Sequence, residues 1–133
     1  MSTIQISTVG VYGFTEQSFF ETLLRAKASV FVDIRLRRAV RGSKFAFANS
    51  KRLQSGLASL GIRYIYSKEL APSNDIRQLQ KQADKKNLTT KSRRSILSDT
   101  FISAYESECL STFDSKEFVR QLQLDDQVVV LFC

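Results

Sequence analysis

The stretch Val30-Phe31-Val32-Asp33-Ile34-Arg35-Leu36-Arg37-Arg38 begins as a buried strand and ends in an acid and three arginines. From Val30 to Leu36 it is rich in β-branched and other apolar residues, the pattern of an interior parallel strand covered on both faces. Such a strand is expected at the centre of a sheet. Charge enters where the apolar run gives out, so the run is expected to belong to the core and its end to a site.

Working outward toward the N-terminus, Ile4, Ile6 and Val9 with Thr3, Ser7 and Thr8 between them suit a first strand ending near Gly10. Gly10-Val11-Tyr12-Gly13 interrupts it with two residues that tolerate unusual backbone angles. Thr15 can cap a helix in which Phe19, Phe20, Leu23 and Leu24 recur at helical spacing, with Arg25 and Lys27 near its C-terminal end. Toward the C-terminus, Asn49 or Ser50 opens a helix carrying Leu53, Leu57 and Leu60, Gly61 supplies a left-handed stop, and Ile62 to Tyr66 forms a third strand. Ala71-Pro72-Ser73-Asn74 breaks the pattern. Ile76 to Arg94 is polar, with seven basic residues against Asp84, and reads as a loop or a mobile helix. Leu97, Phe101, Ala104 and Tyr105 then form a stripe, which predicts a helix from Ser95 to about Cys109. Asp114 and Glu117 resemble a capping box for a last helix with Phe118, Val119 and Leu122. Asp125-Asp126 makes a turn into Val128 to Cys133, a run expected to be a fully buried strand.

This order of strands and helices predicts an α/β layered sandwich with a mostly parallel sheet of about four strands flanked by helices. With no repeats, residues 1–133 read as a single α/β domain carrying a basic insert at about 73–94. In an open parallel sheet the ligand edge is the one at the carboxyl ends of the strands. That edge would collect Gly10, Tyr12 and Gly13 from the first strand and Asp33, Arg35, Arg37 and Arg38 from the second. Lys68 and Glu69 would come from the third and Cys133 from the last.

Composition narrows the chemistry. The chain of 133 residues contains no histidine, which excludes a histidine-dependent triad within it. Its two cysteines, Cys109 and Cys133, have no CxxC spacing, so neither a disulfide framework nor a metal site is indicated, and no cofactor is expected. No apolar run reaches the ~20 residues of a membrane-spanning helix and the start lacks signal-peptide character, so a soluble cytoplasmic protein without a membrane partner is expected. A formal charge of +7 favours polyanionic partners, nucleic acid or a phosphate-bearing small molecule.

Taken in order, "ISTVGVYGFTEQSFFETLL", "VFVDIRLRRAVRGSKFAF", "LQSGLASLGIRYIYSKEL", "FISAYES" and "VVVLFC" resemble the bacterial and archaeal family called domain of unknown function 488. The resemblance covers nearly the whole chain and is strongest in Asp33-Ile34-Arg35 and its distance to Gly61-Ile62-Arg63-Tyr64. Ala71 and Pro72 stand where the family has paired glycines, and the family continues beyond Cys133 with a Cys-x-Glu and a Cys-His-Arg cluster. The family has no settled activity, so the resemblance implies a fold and a site location.

The ligand-binding candidates are Gly10, Tyr12, Asp33, Arg35, Arg37, Arg38 and Lys68. Asp33 and Arg35, two apart on a strand, would share one side of it. They form either a structural ion pair or an anion site in which arginines donate and Asp33 orients them. Tyr12 is either a packing residue or a stacking one. Arg41, Lys44, Lys85, Lys86, Lys91, Arg93 and Arg94 read as a solvated surface or as a positive track for nucleic-acid phosphates, with stacking left to Tyr12, Tyr64 or Tyr66. Cys133 is the one weak catalytic candidate, by analogy with cysteine sites at strand ends. Three functions follow: an anion-binding module, which is favoured; an enzyme whose cysteine-centred set is incomplete here; and an interaction subunit, with a second copy or another chain covering an exposed face of the last strand.

Overall fold

The computed structural model describes residues 3–122 and 128–133, so the expected turn at Asp125 and Asp126 lies outside the described residues. The chain groups into two compact units, Met1–Lys68 with Ser115–Cys133, and Glu69–Asp114.

Among the described residues the first unit carries four strands, β1 (Gln5–Val9), β2 (Val30–Asp33), β3 (Arg63–Tyr66) and β4 (Val128–Phe132). They form one sheet in the order β1-β4-β2-β3, and every neighbouring pair is parallel. With helices on the sheet, this is the α/β sandwich expected from the sequence. All four residues of β2 are buried, as its apolar run demands. The edge strand β1 leaves Ile6 in solvent.

Two helices cover one face. Helix α1 (Glu16–Arg25) starts at a capping box in which Thr15 Oγ1 accepts the Ser18 N–H and Ser18 Oγ accepts the Thr15 N–H. It buries Phe19 and Leu23, four residues apart, and α2 (Ser50–Ser59) buries Leu53 and Leu57 at the same spacing. These four side chains join Phe31, Val130 and Phe132 of the sheet in one core. On the opposite face Val30, Val32 and Val129 are buried, with Phe118 of α5 (Ser115–Arg120) and Leu122 packed against them. The last strand is therefore interior and covered, and the exposed apolar face expected of it is not formed.

One further expectation is corrected and two gain detail. Strand β2 ends at Asp33 rather than Leu36, because the Asp33 side chain takes the Arg35 N–H and turns the chain. Asn49 sits at the N-cap of α2 without capping it, since its side-chain oxygen instead accepts the Val40 N–H at 2.6 Å. Of the two turn glycines, Gly13 has a positive φ of 87° and Gly10 does not.

The second unit is helical. The stretch read as a loop or mobile helix contains α3 (Asn74–Lys86), capped by Ser73 Oγ, which accepts the Ile76 N–H. Its buried stripe is Ile76, Gln80 and Asp84, so two of the three inward positions are polar. Gln80 donates to Asp84 Oδ1 and accepts the Ser98 N–H, while Asp84 Oδ2 takes Arg94 at 2.6 Å. Helix α4 (Asp99–Tyr105) begins at the Ser98 cap, four residues later than expected, and runs on as a π-helical turn, Glu106–Leu110.

The contact between α1 and α2 is a glycine contact: a Cβ added at Gly56 would meet Phe20 Cζ at 2.5 Å. The Phe20 ring is held edge-on by Phe19 and Phe47. Alanine favours a helix over glycine by about 1 kcal/mol, whereas forcing a methyl into a filled core costs about 1–3 kcal/mol. Gly56→Ala is expected to destabilise the protein by about 1 kcal/mol in a urea titration, and a variant more stable than wild type would show that the ring gives way freely.

Candidate functional site

Parallel pairing brings the carboxyl ends of β2, β3 and β4 together: Asp33 lies opposite Tyr66 on one side and Phe132 on the other. Asp33 is fully buried. A buried carboxylate is tolerated only with its oxygens satisfied, and here four donors reach them. Oδ1 accepts the Arg35 backbone N–H at 3.1 Å and Arg35 Nε at 2.9 Å. Oδ2 accepts Arg35 Nη2 at 2.8 Å and the Tyr64 hydroxyl at 2.7 Å.

Arg35 therefore forms the two-pronged pair that guanidinium and carboxylate geometry favours. Although it lies beyond the strand rather than on it, the turn swings it back to Asp33. Its guanidinium carbon stands 4.6 Å over the Phe132 ring and its side chain is 11% exposed. Nη1 makes no hydrogen bond among the described residues.

Arg38 is the second held cation. Its guanidinium carbon lies 4.1 Å over the Tyr66 ring, and Nη1 reaches the Tyr64 hydroxyl at 3.5 Å. The phenol beside it keeps Arg38 more firmly charged than an ordinary arginine. Tyr64 and Tyr66 are two apart on β3 and so share a face. The sequence offered them for base stacking, but one ring carries Arg38 and the other lies against Phe31 with centroids 6.3 Å apart.

The remaining candidates divide. Gly10 follows β1, and a Cβ there would touch the Cys133 carbonyl at 3.5 Å. Cys133 is exposed just after β4, at the same edge. Tyr12 is 48% exposed and meets Phe45 edge-on. Arg37, Arg41, Lys44 and Lys68 are exposed and are not drawn into the Asp33 cluster. In the helical unit Lys85, Lys86, Lys91 and Arg93 are exposed, whereas Arg94, read as part of a positive surface, is ion-paired with Asp84. The residues missed as arginine holders are Tyr64, Tyr66 and Phe132, and the only sequence signal for them was tyrosines at i and i+2 on a strand.

Burial pushes the Tyr64 phenol above the usual tyrosine value of 10.0; the bond to Arg38 opposes this and the bond to Asp33 adds to it. A raised folded-state value means that the interaction stabilises the protein fully below the unfolded value. The contribution is lost as pH rises through the folded one. In an absorbance titration, a phenol step above the usual tyrosine value is expected, and Tyr64→Phe is expected to remove it. Four tyrosines ionising together near pH ~10 would contradict the buried phenol–carboxylate bond.

No curated protein and no solved structure matches the chain. The family described as "Domain of unknown function DUF488" matches residues 15–133. The strand-end acid with its arginines, the tyrosine-bearing third strand and the last strand all lie within those residues, and the chain belongs to the DUF488 family.

Proposed function

We propose that the protein is an anion-binding module that holds a phosphate-bearing ligand, nucleic acid included, at the carboxyl edge of its sheet. One observation carries this reading: two guanidiniums are fixed from behind, Arg35 by Asp33 and Phe132 and Arg38 by Tyr64 and Tyr66, with donor edges left over. A structural ion pair needs one arginine. A second arginine stacked on a ring beside the first, without a carboxylate of its own among the described residues, is better explained by an anion that completes it. Pre-fixed donors lose little freedom on binding, and guanidinium edges match phosphate oxygens. The formal charge of +7 favours the approach of such a ligand.

Binding of a labelled single strand, a duplex and mononucleotides to the purified protein at low and high salt tests the reading. Loss of a hydrogen bond to a charged group is worth about 1.5–3 kcal/mol, so Arg38→Ala is expected to weaken binding by roughly ten- to a hundredfold. Arg35→Ala is expected to weaken it at least as much, but it also strands the buried Asp33 carboxylate, so its folding is checked by circular dichroism. Wild-type affinity in Arg38→Ala, or affinity that stays flat between low and high salt, would overturn the proposal.

A further inference from the structure

The segment that joins β2 to α2 alternates. Leu36, Arg38 and Val40 are half-buried, while Arg37, Ala39 and Arg41 are exposed, and from Arg37 to Arg41 the chain has no helix, turn or bend. Each inward residue is tied from behind. The Leu36 carbonyl accepts the Tyr66 hydroxyl at 3.4 Å, the Arg38 carbonyl accepts the Ser50 N–H at 3.1 Å, and the Val40 N–H donates to Asn49 Oδ1 at 2.6 Å. The segment is thus a pinned strap rather than a loose basic turn. Its inner arginine belongs to the site above, and its outer arginines have no such role.

In an extended chain, residues two apart point the same way, and four residues span roughly 13 Å. A small phosphate held by Arg35 and Arg38 cannot also reach both Arg37 and Arg41; a chain of phosphates can. Beyond the strap, Gly42 turns the backbone with a φ of 81°, Lys44 is exposed with Nζ 5.3 Å from the Phe45 ring, and Phe45 supports the half-exposed Tyr12 ring edge-on. The row of cations therefore leads to an aromatic face. Cations with an exposed ring suit a nucleic-acid strand, which offers phosphates and bases, better than an acidic peptide, which offers charge alone. One row rather than two tracks one strand.

Resting on the anion-site reading, we infer that the strap from Leu36 to Arg41, continued by Lys44 and Tyr12, is the track of a single nucleic-acid strand, one of whose phosphates occupies the Arg35 and Arg38 site. The inner arginines hold a phosphate whether it is free or in a chain. The outer ones act only on a chain.

The test compares a short labelled single strand with a mononucleotide, using wild type, the double variant Arg37→Gln with Arg41→Gln, and Tyr12→Ala. The outer arginines are exposed, so the double variant is expected to fold as wild type does. For the strand, its slope of log K against log salt should be shallower by about 1.4, at ~0.7 per contacted phosphate. Its mononucleotide affinity should be unchanged. Tyr12→Ala should weaken the strand about tenfold through lost stacking and leave competition by polyglutamate as it was. If wild type binds neither probe, the anion-site reading itself fails. If wild type binds but the double variant affects both probes equally or neither, only the strap inference fails. Polyglutamate displacing the strand as well as an unlabelled strand does would also overturn it, by reducing the track to charge.

Discussion

Everything at the carboxyl edge depends on the fully buried Asp33 carboxylate. Left alone in the interior, such a charge would be penalised by several kcal/mol, so the surrounding structure is arranged to supply its donors. Those donors come from two places at once: the turn that follows β2, through the backbone and side chain of Arg35, and the neighbouring strand β3, through Tyr64. Satisfying one side chain therefore ends the central strand, sets the direction of the next residues and fixes the edge strand in register. The same phenol carries the order one step further, to Arg38. A strand that continued apolar to Leu36 would build the same core without this polar cluster.

The helical unit solves a related problem in the same way. Its α3 turns Gln80 and Asp84 inward, and their partners are the Ser98 backbone and the Arg94 side chain. Asp84 also accepts the Thr89 N–H at its own carbonyl, so one residue receives both the first turn after the helix and a side chain ten residues on. Segments that ordinary packing would hold by apolar contacts are held here by polar ones. This explains why Leu88 and Ile96 can stand in solvent while the stretch between them stays tied to the helix.

How much of this could be read from the sequence follows from which interactions are local. Val30 to Val32, Val128 to Phe132 and the stripes of α1 and α2 announce themselves through burial and spacing, and the parallel order follows from alternating strands and helices. The Asp33 and Arg35 pair was legible because its partners are two residues apart. Its tie to Tyr64 was not, because it depends on which strand lies beside which, and that is set by the whole sheet. Helix α3 was obscured for another reason. Its inward positions keep helical spacing, but two of them are polar, and a search for apolar periodicity passes over a stripe that is buried by hydrogen bonding. The apolar pattern runs three residues past the end of strand β2 because Ile34 and Leu36 are apolar, while the signal that ends it is a side-chain bond to Asp33.

The arginines of this edge are not equivalent, and their chemistry explains why arginine rather than lysine stands at the inner positions. Arg35 gives Nε and Nη2 to Asp33 in a two-pronged pair that only a planar guanidinium can form. A lysine ammonium there would be a point charge without that fork, and it could not lie flat over Phe132 as the guanidinium does. Arg38 likewise depends on a planar cation to rest on Tyr66 while it reaches Tyr64. Arg37 and Arg41 are exposed, and among the described residues no hydrogen bond or ring constrains the shape of their side chains. The edge thus passes within a few residues from cations placed by geometry to cations placed only by alternation along a strap. What fixes the first also orients the second, since the tyrosine under Arg38 holds the Leu36 carbonyl as well.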